Sequence, residues 1–239
     1  MSSNVCESIN SIDKYFDGDP NSGEYYMNIL STYCPNNNCS SDEEKIISGF
    51  IILLNTLDAE TIDGDKLAEY AILWLSYKLN QKKENGITNL YDFYANNIET
   101  NSLYTGNISN NSDDHINKDI IDSKIRSMDI DIKDISNFYD AFKSLCNIYS
   151  EINAENNTEC KTCLENAGEF FEKCEKVKNV FDITKGSSYL QLWSSLSNDY
   201  KNFENNYNTS ILLGVSYKYS LFGFRKRSQK QHLREMLKK

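Results

Sequence analysis

Cysteines are the residues of this chain whose number and spacing best suit chemistry. Among its 239 residues are seven cysteines, which form an N-terminal trio and a C-terminal quartet: Cys6, Cys34, Cys39, Cys146, Cys160, Cys163 and Cys174. Cysteines clustered in this way indicate disulfides or a bound metal more than scattered reduced thiols. Because the number is odd, at least one thiol stays unpaired unless a bond forms between two chains.

Three chemical uses of the quartet compete. Its four thiolates could hold zinc, but their spacing differs from that of zinc knuckles and ribbons, and no histidine lies nearby. Cys160-x-x-Cys163 could be a redox motif, but no βαβ pattern surrounds it. We favour structural disulfides that join a helix over residues 132–153 to a helix over 159–183, with a separate bridge within the N-terminal trio. Buried free thiols are the remaining alternative.

The sequence offers few residues that could form a catalytic site. The chain has only two histidines, His115 in a polar stretch and His232 in the basic C-terminus. A Ser-His-Asp or Cys-His site would need one of them in an apolar pocket. Neither of the glycine-rich phosphate-binding motifs, G-x-x-x-x-G-K-[ST] and G-x-G-x-x-G, occurs in the sequence. We therefore expect no enzyme, no cofactor, no metal and no small-molecule substrate.

Helices are the elements expected to position the cysteines. Only two prolines and ten glycines interrupt the chain, which favours long helices over a many-turned β fold. Apolar residues recur at spacings of three and four, the period of an amphipathic helix. Ser41 to Glu44 has the pattern of a capping box, and Thr88 is a second candidate cap. The sequence predicts helices over residues 5–16, 22–33, 41–54, 67–78, 88–94, 116–130, 132–153, 159–183 and 189–207.

The last three of these stretches carry the most regular pattern and predict helices packed lengthwise on one another. The predicted fold is all-α, an irregular helical bundle stapled by disulfides, with a short basic C-terminal tail. Residues 99–114 are rich in Asn, Ser and Asp, so we predict an exposed loop there.

The net charge of −10 is the sum of an acidic body and a basic tail. From Lys218 onward there are eight Lys/Arg against one acid, Glu235, so residues 1–217 hold 17 Lys/Arg and 34 Asp/Glu. These counts correspond to about −17 for the body and about +7 for the tail. An acidic body repels nucleic acid and anionic lipid, whereas the tail attracts both. Because no aromatic residues interleave the basic stretch, we do not expect nucleic acid as a partner.

An apolar segment precedes the basic tail. From Ile211 to Phe224 it covers about 14 residues including Lys218, whereas a bilayer span needs about 20 apolar residues. A basic cluster after an apolar run is the usual cytoplasmic flank of a membrane span, although a nuclear-localisation tail or a peripheral anchor would look similar. Residues 1–19 show no signal peptide. The basic positions are Arg225, Lys226, Arg227, Lys230, Arg234, Lys238 and Lys239.

The C-terminal sequence YKYSLFGFRKRSQKQHLREMLKK, residues 217–239, closely resembles the cytoplasmic end of the Plasmodium interspersed repeat (PIR) proteins of rodent malaria parasites. The body resembles the same family over essentially its whole length. The matching features are Cys6, Tyr33-Cys34-Pro35, AILWLSYKL at 71–79, LYDFY at 90–94 and the set Cys160, Cys163 and Cys174.

This resemblance implies an exported variant antigen with a helical ectodomain, one membrane span and a short cytoplasmic tail, acting in host interaction and immune evasion. It implies no enzymatic activity and no cofactor; the expected partners are an unidentified host receptor or host-cell protein and, by resemblance, a membrane. The corresponding domains are a helical, cysteine-containing ectodomain (1–208), a short remnant of a span (209–224) and a cytoplasmic-type tail (225–239). Because that span is too short, we expect this chain by itself to be soluble. An intracellular scaffold that remodels the host cell through helix contacts and the basic tail is the alternative.

Overall fold

Helices make up the secondary structure throughout the part of the chain that the structure, a computed structural model, describes. Those residues are 2–16, 23–82, 88–108, 115–155, 163–180 and 186–206. The α-helices are α1 (Ser3–Lys14), α2 (Gly23–Ser31), α3 (Asp42–Leu57), α4 (Gly64–Gln81), α5 (Leu90–Asn97), α6 (Ser102–Asn107), α7 (Lys118–Ser127), α8 (Ile132–Glu155), α9 (Cys163–Val180) and α10 (Gly186–Asn206). A 3-10 turn spans Pro35–Asn37, and no strand occurs in these ranges beyond an isolated bridge between Asn89 and Asp131. The predicted all-α class is confirmed.

Polar side chains start several of the helices. The Ser41 hydroxyl accepts a hydrogen bond from the amide of Glu44, so the predicted cap of α3 is present. Such a cap satisfies an amide that has no partner within the helix. The prediction that Thr88 caps the next short helix is wrong, because Asn89 accepts from the amide of Asp92. The carbonyl of Thr88 instead accepts from the amide of Ile132, which ties the start of α5 to the start of α8.

Helix α8 occupies the centre of the bundle. It contacts α1, α4, α9 and α10, and α4 in turn contacts α3 and α7. A helix with neighbours on several sides must be apolar around most of its circumference. The hydrophobic residues of α8 that are at most 1% exposed are Ile132, Ile135, Phe138, Tyr139, Ala141, Phe142, Leu145, Cys146, Ile148 and Tyr149.

Aromatic rings fill much of the space between these helices. Tyr70 of α4 stacks on Phe142 of α8, with ring centroids 4.7 Å apart. Tyr149 of α8 meets Phe203 of α10 edge to face at 4.7 Å. Rings in these arrangements contribute about 0.5–1.5 kcal/mol per pair beyond the area they bury. The abundant tyrosine and phenylalanine of the sequence therefore serve mainly as core.

A glycine allows α3 to approach α4 closely. A Cβ atom placed on Gly49 would lie 2.7 Å from Cη2 of Trp74 and 3.0 Å from two ring atoms of Phe16. These distances are shorter than a van der Waals contact, so only glycine fits at this point of α3. The Trp74 ring thereby lies directly on the backbone of the neighbouring helix.

The predicted exposed loop over residues 99–114 is wrong where it can be compared. Residues 102–107 form α6, and Tyr104 within it is fully buried. The Tyr104 ring packs edge to face against Tyr94, with ring centroids 6.0 Å apart, and Asn101 caps the helix. The polar composition is misleading because a single aromatic side chain anchors the segment; residues 109–114 lie outside the described ranges.

None of the helices in the described ranges has the length and apolar character needed to cross a bilayer. The apolar segment 209–224 and the basic tail 225–239 lie outside those ranges.

Candidate functional site

One disulfide joins the first helix to the central one. Cys6 of α1 and Cys146 of α8 are bonded across a sequence separation of 140 residues, with their Cα atoms 5.1 Å apart. Both residues are buried, at 1% and 0% exposure. This bond links the N-terminal trio to the C-terminal quartet and fixes the position of α1 on α8.

The second disulfide is local. Cys34 and Cys39 lie five residues apart, with a Cα–Cα distance of 5.1 Å, and their bond encloses the 3-10 turn Pro35–Asn37. Within that turn Asn36 and Asn37 have φ angles of 54° and 53°, in the left-handed region that asparagine tolerates better than most residues. The bridge therefore closes a tight loop between α2 and α3.

The predicted staple between the helices over 132–153 and 159–183 does not form through Cys146, because that residue is bonded to Cys6. Cys174 of α9 is a buried free thiol. The zinc site built from all four cysteines of the quartet is wrong for the same reason, since an oxidised sulfur cannot supply a thiolate. The described residues contain no other cluster of three or more metal-binding side chains. Cys160 and the side chain of Cys163 lie outside the described part.

The free thiol of Cys174 is fully enclosed by the core. Burial, with a smaller contribution from the neighbouring Glu175, raises the pKa of this thiol well above its ordinary value. A thiol that stays protonated is a weak nucleophile. Cys174 therefore acts as an apolar side chain in the contact between α9 and the rest of the bundle.

His115 is the one histidine within the described ranges. It is exposed on the surface before α7, and its backbone carbonyl faces Gly64 at the start of α4. A catalytic site centred on His115 would require a desolvated cleft, so that interpretation is wrong. His232 belongs to the tail beyond the described residues.

A buried carboxylate links three helices. Asp13 of α1 is only 9% exposed. It accepts hydrogen bonds from the indole N–H of Trp74 and the hydroxyl of Tyr139, both at 3.0 Å. Lys78 of α4 lies 3.0 Å from the same carboxylate, and Lys143 of α8 donates to its other oxygen. One acid is therefore shared by two lysines, one from each neighbouring helix.

Two opposing effects act on the pKa of Asp13. Burial alone raises the pKa of this carboxyl, but the charges of Lys78 and Lys143 outweigh burial and hold the pKa below its ordinary value. Asp13 is thus ionised at neutral pH, and its lone pairs are occupied by protein donors. A group bonded on all sides in this way stabilises the fold rather than acting on a substrate.

A second buried network ties α4 to α10. Asp199 accepts a hydrogen bond from the hydroxyl of Tyr70 at 2.8 Å and lies 2.9 Å from the ammonium of Lys66. Lys66 also pairs with Glu69 at 2.8 Å, and Ser195 of α10 donates to that same carboxylate. All of these groups are bonded to one another, so this network also has a structural role.

The surface of α1 and α2 carries an aromatic feature that the sequence patterns do not reveal. Tyr15 and Tyr26 have ring centroids 4.9 Å apart, and Tyr25 and Tyr26 have centroids 5.6 Å apart. Tyr25 is 66% exposed, which is unusual for so large a ring, and Met27 beside it is 37% exposed. We call Tyr15, Tyr25 and Tyr26 the tyrosine ridge.

Two cavities flank the tyrosine ridge, and Tyr15 lines both. An open groove of about 360 Å³ lies between α1 and α3, with apolar residues such as Ile52 at its base and Glu7 and Glu60 among its polar residues. A second cavity, of about 240 Å³, lies where α1 ends and α2, α3 and α4 meet. Tyr15 therefore lies between two concave surfaces, an arrangement suited to recognising another molecule. The only sequence signal for it is the close spacing of three tyrosines around Asp17-Gly18-Asp19-Pro20.

Comparison with known proteins places this architecture among relatives. The family model described as Plasmodium variant antigen protein Cir/Yir/Bir matches residues 6–220. A solved structure, that of a Plasmodium PIR protein ectodomain, is 38% identical with a TM-score of 0.65, and the match covers 85% of this chain and 92% of that one. No curated protein matches the chain.

Proposed function

Because the chain belongs to the Plasmodium Cir/Yir/Bir variant antigen family, we propose that it is an exported, non-catalytic variant surface antigen that binds a host receptor or host-cell protein and serves immune evasion. In this proposal the helical body, residues 1–208, carries the binding surface. The segment 209–224 is the remnant of a membrane span, and 225–239 is a cytoplasmic-type tail.

The observation that carries the proposal is the tyrosine ridge, in which Tyr25 is exposed and Tyr15 and Tyr26 are half-buried. Tyrosine and methionine are enriched in protein interfaces, and tyrosine provides a large contact area at a low cost in conformational entropy. Tyr25 leaves two thirds of its surface accessible, whereas most of the large aromatic side chains of the described core are fully buried. The two concave surfaces beside Tyr15 would let a partner enclose this end of the ridge and exclude water.

The two disulfides support display outside the reducing cytosol. Bonds of this kind persist in oxidising surroundings and are rare among cytosolic proteins. They also favour the surface antigen over the intracellular scaffold. Cys6–Cys146 and the network around Asp13 hold α1 rigidly, so little ordering entropy would be lost when a partner binds the face beside it.

A binding experiment tests the role of the ridge. The full chain, presented as a fluorescent multimer, is incubated with host red cells and leukocytes, and binding is compared with that of Tyr25→Ser/Tyr26→Ser. We expect at least about a tenfold loss of binding, because interface anchors commonly contribute more than about 1.4 kcal/mol each.

Leu190→Ser provides the matched control, since Leu190 is 40% exposed on α10, away from the ridge. Its binding should equal that of the parent chain. If the parent binds no host cell, the proposed function fails. If the ridge variant binds as tightly as the parent, the function stands but the site is elsewhere. Protease accessibility on intact infected cells separates surface display from an intracellular scaffold.

A further inference from the structure

The smaller of the two cavities is lined by both apolar and cationic side chains. It has a volume of about 240 Å³, just below the usual range for pockets that hold drug-sized ligands, so only a small ligand would fit. Its apolar lining includes Phe16, Met27 and Ile46. Its charged lining consists of Lys45, Lys82, Asp42 and the buried Lys78. A cavity of this composition differs from the acidic surface that the overall charge of the body leads one to expect.

We call this smaller cavity the lysine cavity. Its rim carries more positive than negative charge. Lys45 of α3 and Lys82, directly after α4, both pair with the single carboxylate of Asp42, Lys45 at a distance of 3.4 Å. Two ammonium groups therefore share one acid at the mouth of the cavity. The side chains of Lys45 and Lys82 remain 31% and 45% exposed, so their ammonium groups can still meet a ligand from solvent.

The inner wall of the cavity also has more positive than negative charge nearby. The side chain of Lys78 is only 7% exposed, and its ammonium lies 3.0 Å from Asp13, the carboxylate that it shares with Lys143. The same ammonium lies 4.9 Å from the centroid of the Phe16 ring, a favourable cation–π distance. A cation this deeply buried and only half neutralised gains strongly from an additional anion nearby, because the local dielectric is low.

We propose that the lysine cavity binds a small organic anion. One carboxylate or sulfate group would lie among the ammonium groups of Lys45, Lys78 and Lys82, and a short apolar stem of about the size of a benzene ring would pack against Phe16, Met27 and Ile46. The anion is either free or carried on a side chain of a partner, and its chemistry is the same in both cases. This inference concerns the cavity alone and does not depend on the binding of host cells.

The charge and the stem are tested separately by the choice of probe. Isothermal titration calorimetry of the full chain is carried out with phenylacetate and phenyl sulfate. Phenylacetamide, a neutral analogue, and inorganic sulfate, which has no stem, serve as controls. We expect saturable one-site binding of the two aromatic anions and at least about tenfold weaker binding of each control. Added salt should weaken the binding further, because the two outer lysines are exposed.

Variants locate the site. Lys45→Gln/Lys82→Gln should weaken the binding of phenylacetate by at least about fivefold without unfolding the protein, because both side chains are on the rim. Lys173→Gln on α9, where Lys173 pairs with Glu169, removes a lysine of similar exposure far along the chain and should change nothing. The binding of phenylacetate to a folded Lys78→Met variant tests the role of the inner wall. The proposal is overturned if the aromatic anions show no saturable binding, or if they bind the rim variant and the parent equally.

A peptide with a single O-sulfotyrosine distinguishes the two sources of the anion. Binding tighter than that of phenyl sulfate points to a partner side chain, and equal binding points to a free ligand; both outcomes support the cavity as an anion site. Failure of host-cell binding would leave these titrations unaffected, so the two proposals can fail separately.

Discussion

At the scale of single residues, Asp13 shows how strongly one buried charge can determine stability. Its carboxylate accepts hydrogen bonds from Trp74 and Tyr139 and forms ion pairs with Lys78 and Lys143. These four side chains come from two neighbouring helices. Replacement by asparagine keeps the shape but leaves two ammonium groups without their anion. Because removal of one partner of a buried ion pair is strongly destabilising, we expect Asp13→Asn to lower the free energy of unfolding by about 3–5 kcal/mol in urea titrations.

The pKa of Asp13 sets the pH range of this effect. The two lysines hold the folded-state pKa below its unfolded value despite burial, so the contribution is present at neutral pH and is lost as the pH falls through the folded-state pKa, below about 4. The acid-induced loss of stability should therefore be shallower in Asp13→Asn than in the parent. Asp119→Asn, at an exposed position in the first turn of α7, serves as the control that removes a surface carboxyl. An equal slope in all three proteins would contradict this assignment.

At the scale of elements, the position of α1 depends on a bond across most of the chain. Cys6–Cys146 closes a loop of 140 residues, for which loop-closure entropy alone corresponds to about 5 kcal/mol, and measured losses run to about 2–5 kcal/mol. Cys34–Cys39 closes a separation of five residues, for which the same relation gives about 2 kcal/mol. We expect Cys6→Ser/Cys146→Ser to lose more stability than Cys34→Ser/Cys39→Ser, as measured by urea unfolding.

Each double variant leaves no unpaired sulfur from the bond it removes, so thiol exchange at that bond does not confuse the comparison. The two variants also differ in where they act: the long-range bond joins α1 to α8, whereas the short one encloses a surface turn. Equal losses of stability in the two variants would mean that α1 is held by its apolar residues and the Asp13 network alone.

At the scale of the whole molecule, buried tyrosines set an upper limit on the stable pH range. Burial, reinforced by nearby acids such as Asp199 and Asp13, raises the pKa values of Tyr70 and Tyr139 well above that of free tyrosine. Burial is also the main cause of the raised pKa values of Tyr94, Tyr104 and Tyr189. These groups are neutral in the fold, so their contribution is complete below about pH 10 and is lost as the pH rises above that value.

We therefore expect the free energy of unfolding to fall steeply above about pH 10. The absorbance of tyrosinate should then appear in two steps, first from accessible rings and later together with loss of helical circular dichroism. The second step should coincide with unfolding, because a buried tyrosine ionises only when its surroundings open. A single absorbance step that is complete while the helices persist would contradict the idea that these rings are locked in the core.

Much of the helical architecture can be predicted from the sequence, because the period of an amphipathic helix is a local property. The regular stretches over 132–153, 159–183 and 189–207 correspond to α8, α9 and α10 over the parts that are described, and the Ser41 cap forms as its pattern predicts. Composition did not predict α6, because one buried ring, Tyr104, outweighs the polar residues around it. Local propensity cannot reveal such an anchor, because its partner Tyr94 lies on another helix.

The sequence by itself determined the all-α class and the family, since helical periodicity and the family's motifs can be read along the chain. Only the tertiary structure decided that Cys6 bonds to Cys146, that Asp13 is shared by Lys78 and Lys143, and that Tyr15 lies between a groove and the lysine cavity. The physical reason is distance along the chain: each of these features joins helices that are remote in sequence, and their meeting depends on how α1, α4 and α8 pack rather than on any local pattern.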